Sequence, residues 1–285
     1  MTKPSPAFKN ILNQSSNRQI LSPLLLAILK GAKFPKRFEV VFEDAGGPRK
    51  PDGYFHPSTH PTMNERQLYY YLTDPDRWES EVLDYESRMS VTMGTAVHSL
   101  IETMLHHNEI MVPLVGTCPA CKRPHGTKKG ECYEYGAADE TLGSRGHMDG
   151  VIHLDTPGVY WVPGQGGLEF KTTNPRTLSS IQPNDLEAFR RKWPVYYGQV
   201  QDYMRMSGLR QFIVLFLALG YPWTPLEFQV PYDEKYAMAI EKKYSNARRA
   251  VLLGEPPDAC CGIGSPLSKS CPARYVCPIG IASRP

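Results

Sequence analysis

Gly146-His-Met-Asp149-Gly-Val151-Ile-His-Leu154-Asp155, then a Pro157-Gly158 turn, then Leu168-Glu169-Phe170-Lys171 is the stretch that decides the fold. Asp149 opens an apolar alternation through Val151 and Leu154, as in a half-buried strand. Glu169 and Lys171 stand two apart in a second strand-like segment, so their side chains share a face. If the two segments pair as a hairpin, Asp149 reaches that face as well. Two carboxylates and a lysine on one sheet face suit Mg²⁺ or Mn²⁺, hard cations that take oxygen ligands and keep room for a substrate phosphate. Such a site hydrolyses a phosphodiester, the lysine holding the attacking water or the charge that develops on oxygen. An ordinary hairpin with solvated acids accounts for the same residues, so the rest of the chain must arbitrate.

The chain has 285 residues, enough for one large domain or a core with appendages. A net charge of +3 implies little by itself. Basic clusters at Lys30 to Arg37, at Lys122, Arg123, Lys128 and Lys129, at Arg190 to Lys192, and at Arg248 and Arg249 are candidate phosphate contacts. The first ten residues lack the apolar core of a secretory signal, and the apolar runs Leu24 to Leu29 and Phe212 to Leu219 are too short to span a bilayer. A soluble, cytoplasmic protein with no membrane partner is expected. Seven clustered cysteines in a reducing compartment favour metal ligation over disulfides.

Read in order, residues 1–20 are a polar arm. Ser22-Pro23 starts a helix, with Ser22 as N-cap and Gly31 as stop. Residues 32–63 are loop with a short strand near Phe38 to Phe42. Asn64 caps a helix carrying Tyr69, Tyr70 and Tyr71, whose rings are expected to pack, and Asp74-Pro75 ends it. The next helix begins near Thr92 and presents Gly94 and His98 on one face. Residues 112–140 look like an insertion, where Cys118, Cys121, His125 and Cys132 have the spacing of a small zinc knuckle. Residues 172–184 read as loop. Asp185 starts a long helix to Met206, interrupted at Pro194 and stopped by Gly208, with Gln199 and Tyr203 one turn apart. A buried strand at Gln211 to Leu219, a strand at Leu226 to Val230 and a helix from Asp233 to Leu253 follow. The cysteine-rich tail, 259–285, contains Cys260, Cys261, Cys271 and Cys277. The order predicts an α/β core with a mixed sheet flanked by helices, spanning residues 64–258 behind an N-terminal region of 1–63.

Four spaced signals thus stand in one order: Gly94-x-x-x-His98, Asp149, Glu169-x-Lys171 and Gln199-x-x-x-Tyr203. Together they resemble the RecB-like branch of the PD-(D/E)xK nuclease superfamily, most of all its CRISPR-associated RecB-like exonucleases and their relatives in phages of actinobacteria. The resemblance implies a restriction-endonuclease-like core. It makes His98, Asp149 and Glu169 metal ligands, with the Phe170 carbonyl beside them. Lys171 would act on the water, and Gln199 and Tyr203 would orient the site and touch DNA. Such relatives often hold a [4Fe-4S] cluster on four cysteines. Cys271-Pro-Ala-Arg-Tyr-Val-Cys277-Pro278 fits the end of that pattern, but Asp74-Pro75 stands where a Cys-Pro pair is expected. With Cys260 and Cys261 available, an iron–sulfur cluster, Zn²⁺ or no metal all remain open for the tail.

The leading expectation is a metal-dependent DNA exonuclease, at single-stranded or duplex ends, in recombination, repair or phage genome processing. For a phage-encoded chain the compartment is the host cytoplasm. A non-catalytic DNA-binding scaffold is the second reading, and an endonuclease of the same superfamily is a variant of the first. A zinc-organised module meeting a recombinase or single-strand-binding protein is the third. A homo-oligomer is compatible with each.

Overall fold

The computed structural model describes residues 18–31, 51–78, 84–126, 130–218 and 225–283. The strand expected near 38–42 and most of the N-terminal arm lie outside them. Helix α1 is Leu21–Gly31, α2 is Glu65–Thr73 and α3 is Tyr85–His107. Strands β1 (Tyr135–Asp139), β2 (Ser144–Met148), β3 (Gly150–Leu154) and β4 (Gly164–Thr173) follow. Then come α4 (Pro175–Leu178), α5 (Leu186–Lys192), α6 (Pro194–Ser207), β5 (Gln211–Ala218), β6 (Leu226–Pro231) and α7 (Glu234–Leu253). Two short helices, α8 (Pro266–Ser270) and α9 (Pro278–Ala282), close the described chain.

The central sheet runs β3-β4-β5-β6. The β4–β5 pair is parallel and the two outer pairs are antiparallel, so the sheet is mixed, as expected. Every residue of β5 is buried because both its faces are covered. Ile213, Leu215 and Leu217 pack with Leu25 of α1, Ile101 of α3 and Phe170 of β4. Phe212, Val214 and Phe216 pack on the other side with Phe189 of α5 and Val200 of α6. The β1–β2 hairpin is a separate two-stranded sheet. Beyond the sheet, Tyr244 and Ala247 of α7 pack with Leu68 of α2 and with Phe55, which precedes that helix.

Local chemistry sets most boundaries. Asn64 and Gln67 form a reciprocal capping box at the start of α2, and Asp84, Asp185 and Asp233 cap α3, α5 and α7. Gly208 stops α6 at φ 77°, a left-handed position glycine adopts without cost. Three expectations need correction. The helix bearing His98 starts at Tyr85 rather than near Thr92, because Asp84 supplies the cap. Residues 172–184, expected as loop, include the end of β4 and the short helix α4, capped by Asn174; the break expected at Pro194 separates α5 from α6, since that proline has no N–H to donate. Ser22 does not cap α1: the amides of Ile20, Leu21 and Ser22 all donate to the buried Glu227 carboxylate, and Ser22 Oγ has no hydrogen-bond partner among the described residues.

Candidate active site

The strands β3 and β4 form the expected hairpin, and their pairing ends at Gly150 opposite Leu168. Past that point β4 continues along β5 while the chain before β3 turns away. Asp149 is the single residue between β2 and β3, and it stands at this parting. Its Oδ2 accepts the Phe170 N–H at 2.6 Å, a donor that β3 no longer engages. Helix α3 closes on the same spot. A Cβ at Gly94 would lie 2.7 Å from Thr172 Oγ1, so the absence of a side chain there lets α3 approach β4. One turn later His98 packs beside the Phe170 ring, at 5.8 Å between centroids.

Ligand atoms of His98, Glu102 and Asp149 gather within 4.8 Å of one another. Glu102 was not anticipated, although it follows His98 by one helical turn on the same face of α3. Glu169 stands next to this group without being part of it. Its Oε1 accepts Lys171 Nζ at 2.6 Å and Gln199 Nε2 at 2.8 Å. Lys171 Nζ also lies 4.7 Å from the centre of the Tyr196 ring, a second contact that sequence spacing did not suggest. Gln199 is buried and positions Glu169, and Tyr203, also buried, donates its hydroxyl to the His147 carbonyl just before Asp149. Both side chains are turned into the protein. Phe170 meets the site through its N–H, donated to Asp149.

The electrostatics of the cluster follow from burial. Burial pushes Glu102 up to about 8, with the charges of Asp149, Glu134 and Glu169 adding to it. Burial and Asp149 raise Glu169 to about 7, against the pull of Lys171 and His98. Asp149 is raised by burial too, with Lys171 and the Phe170 amide opposing. Burial drives His98 down to about 4, and Lys171 adds to the effect, so the imidazole is neutral near pH 7. Lys171 loses by burial but gains more from Glu169 and Asp149, and its pKa is raised. Three carboxylates crowded by burial and mutual repulsion favour a cation between them. Two acceptors support that fit: His98 Nε2 and Glu169 Oε2 are buried without a hydrogen-bond partner among the described residues. One neutral imidazole with carboxylate oxygens is a donor set that suits Mn²⁺ or Mg²⁺.

Two cysteine groups complete the inventory. The sulfurs of Cys118, Cys121 and Cys132 gather with His147, within 4.8 Å. The expected fourth member, His125, is not in that group; its Nδ1 lies 3.2 Å from the Cys132 carbonyl oxygen instead. In the tail, Cys260, Cys261, Cys271 and Cys277 line one pocket with Arg66, Gln67 and Tyr70. Gln67 Nε2 donates to Cys271 Sγ at 3.4 Å and Arg66 Nε to Cys277 Sγ at 3.5 Å. Cys260 and Cys261 have their sulfurs 4.0 Å apart.

No protein-family model matches the chain, and no curated protein does. Among solved structures, the crystal structure of SSO0001 aligns with a TM-score of 0.41 and 13% identity, over 81% of this chain and 88% of that one. The alkaline exonuclease LHK-Exo from Laribacter hongkongensis aligns with a TM-score of 0.41 and 15% identity, over 72% of this chain and 90% of that one. The same enzyme in complex with dAMP aligns with a TM-score of 0.39 and 14% identity, over 71% and 89% of the two chains. At such values the likeness is remote, and a functional reading stands on the side chains themselves.

Proposed function

We propose that this chain is a metal-dependent deoxyribonuclease acting as an exonuclease on DNA ends. The observation that carries the reading is the convergence of His98, Glu102 and Asp149 within 4.8 Å, beside a Glu169–Lys171 pair at 2.6 Å. His98, Glu102 and Asp149 would hold Mg²⁺ or Mn²⁺, with the free Glu169 Oε2 close by. When bound, such an ion lowers the pKa of a water and neutralises charge on a phosphate. Lys171 carries its proton firmly and offers N–H donors where negative charge builds up on the phosphate oxygens. Gln199 holds Glu169 in place, and the Phe170 amide holds Asp149. DNA, in single strands or at duplex ends, is the partner this chemistry serves, in recombination, repair or phage genome processing. The four tail cysteines form a donor set for a metal or a [4Fe-4S] cluster that would fasten the tail to α2.

The decisive variants are Glu169→Ala and Lys171→Ala. Each is expected to reduce cleavage of labelled DNA by at least ~100-fold, the scale of losing a preorganised charge at the reacting group. DNA binding by the same proteins, followed by fluorescence anisotropy, stays within a few-fold of wild type. Wild-type cleavage by both variants removes this site from consideration.

A further inference from the structure

We propose that Cys118, Cys121, Cys132 and His147 bind one zinc ion, and that this ion fixes the hairpin which delivers Asp149. Four side chains from two separate parts of the chain supply the donor atoms. Cys118 Sγ lies 3.3 Å from His147 Nε2, and all the donor atoms fall within 4.8 Å of one another. A tetrahedral zinc with Zn–S of about 2.3 Å sets its sulfurs roughly 3.8 Å apart, so the group is of the right size.

The surroundings are built for that group. Cys118 and Cys121 flank a tight turn in which the Lys122 amide donates to the Cys118 carbonyl at 2.9 Å, with Lys122 at φ 61°. Cys118 N–H donates to the Arg123 carbonyl at 2.8 Å and Cys132 N–H to the Pro124 carbonyl at 2.8 Å, which brings the third cysteine under the turn. Strand β1 passes beneath: a Cβ on Gly136 would lie 2.3 Å from Cys118 Sγ, so a residue with no side chain there leaves space for the sulfur. Behind His147, the Glu134 carboxylate lies 3.8 Å from Nδ1, on the side away from the sulfurs. A carboxylate behind the ring of a ligating histidine is a common orienting partner. His125, the histidine nearest to the cysteines in sequence, is engaged with the Cys132 carbonyl instead.

His147 belongs to β2 and Asp149 lies two residues further on. The ion therefore ties the segment from Cys118 to Cys132 to the strand that leads into the site, and the Tyr203 hydroxyl holds the same strand by the His147 carbonyl. The zinc site stands whether or not the chain is a nuclease; only the consequence for Asp149 rests on that reading.

Zinc per chain is measured by mass spectrometry of the acid-digested full-length protein, for wild type, His147→Ala and His125→Ala. The expected result is loss of one zinc equivalent in His147→Ala and none in His125→Ala. The tail cysteines are intact in all three, so the difference isolates this site. Equal zinc in wild type and His147→Ala, or loss in His125→Ala alone, overturns the ligand set. Should His147→Ala fail to fold, Co²⁺-loaded wild type and His147→Cys settle the matter. The thiolate-to-cobalt absorption is expected to strengthen with the added thiolate, and an unchanged spectrum overturns the proposal. Amide hydrogen exchange across β2 and Asp149 is expected to quicken by at least ~10-fold in His147→Ala, as for a locally loosened strand. Unchanged exchange there, with zinc lost, overturns the coupling to Asp149 and leaves cleavage activity a separate question.

Discussion

Glu102 completes the proposed cation site, and burial is the main perturbation of its carboxylate. It is raised to about 8 by burial, then by Asp149, Glu134 and Glu169, so it carries little charge until a cation arrives. Glu102→Gln keeps the shape and removes the charge. It is expected to raise the Mn²⁺ concentration needed for half-maximal cleavage on the order of 10-fold or more, the scale seen when a metal's close partners are lost. An unchanged metal titration would take Glu102 out of the site. His60 makes the same electrostatic argument for stability. Burial, and the nearby charge of His56, push it from 6.5 down to about 3, and its Nδ1 accepts the His56 amide at 2.5 Å. The unfolded chain therefore binds this proton first. The contribution of His60 is whole above about pH 6.5 and is lost as the pH falls towards 3, at up to ~1.4 kcal/mol per pH unit. Urea unfolding at pH 7 and pH 5 is expected to show a smaller loss for His60→Asn than for wild type. An equal loss in both would mean that His60 titrates normally.

At the scale of elements, helix α1 is docked by one side chain from the opposite end of the chain. The buried Glu227 carboxylate takes the amides of Ile20, Leu21 and Ser22 at 2.8–3.2 Å, and Gln229 Nε2 at 2.7 Å. Glu227→Ala strands three N–H donors and is expected to cost about 2–4 kcal/mol, with α1 released first. A change below ~0.5 kcal/mol in chemical unfolding would show that water replaces the carboxylate at no loss. This cap was not legible in the sequence, because Glu227 and α1 are some two hundred residues apart and Ser22-Pro23 offered a plausible local cap. Elements with local signals were legible. The boxed cap at Asn64, the aspartate before α7 and the glycine after α6 all act where the sequence puts them. The β3–β4 hairpin was legible too, since strand alternation placed Glu169 and Lys171 on one face. The site residues that escaped are those brought in across the fold. Glu102 had a usable signal in its spacing from His98, whereas Tyr196 and His147 had none strong enough to outweigh nearer candidates.

Over the whole molecule, the described residues form a four-stranded mixed sheet wrapped by helices and a separate β1–β2 hairpin, and the proposed site lies where β3 leaves β4. Polar contacts far apart in sequence tie the periphery to this point. Asp202 of α6 accepts Arg205 Nε at 2.9 Å and the Tyr244 hydroxyl of α7 at 3.0 Å, so the helix bearing Gln199 is braced from behind. The tail packs its Cys271 and Cys277 against Tyr69 and Tyr70 of α2, whereas the Tyr71 ring lies against His60 and Trp78. Arg248, a candidate phosphate contact by sequence, instead donates to the carbonyls of Leu142, Gly53 and Gly143 and holds the β1–β2 turn to α7. Among the described residues no helix is long and apolar enough to cross a membrane. We propose that this frame presents a cation-dependent nuclease site to DNA ends. The measurement that tests it most directly is degradation of end-labelled linear single- and double-stranded DNA beside a closed circle, in Mg²⁺, Mn²⁺ or EDTA. Loss of linear DNA from its ends is expected with either metal, none in EDTA, and the circle stays intact. Linear DNA that survives every metal, in protein shown by circular dichroism to be folded, would contradict it.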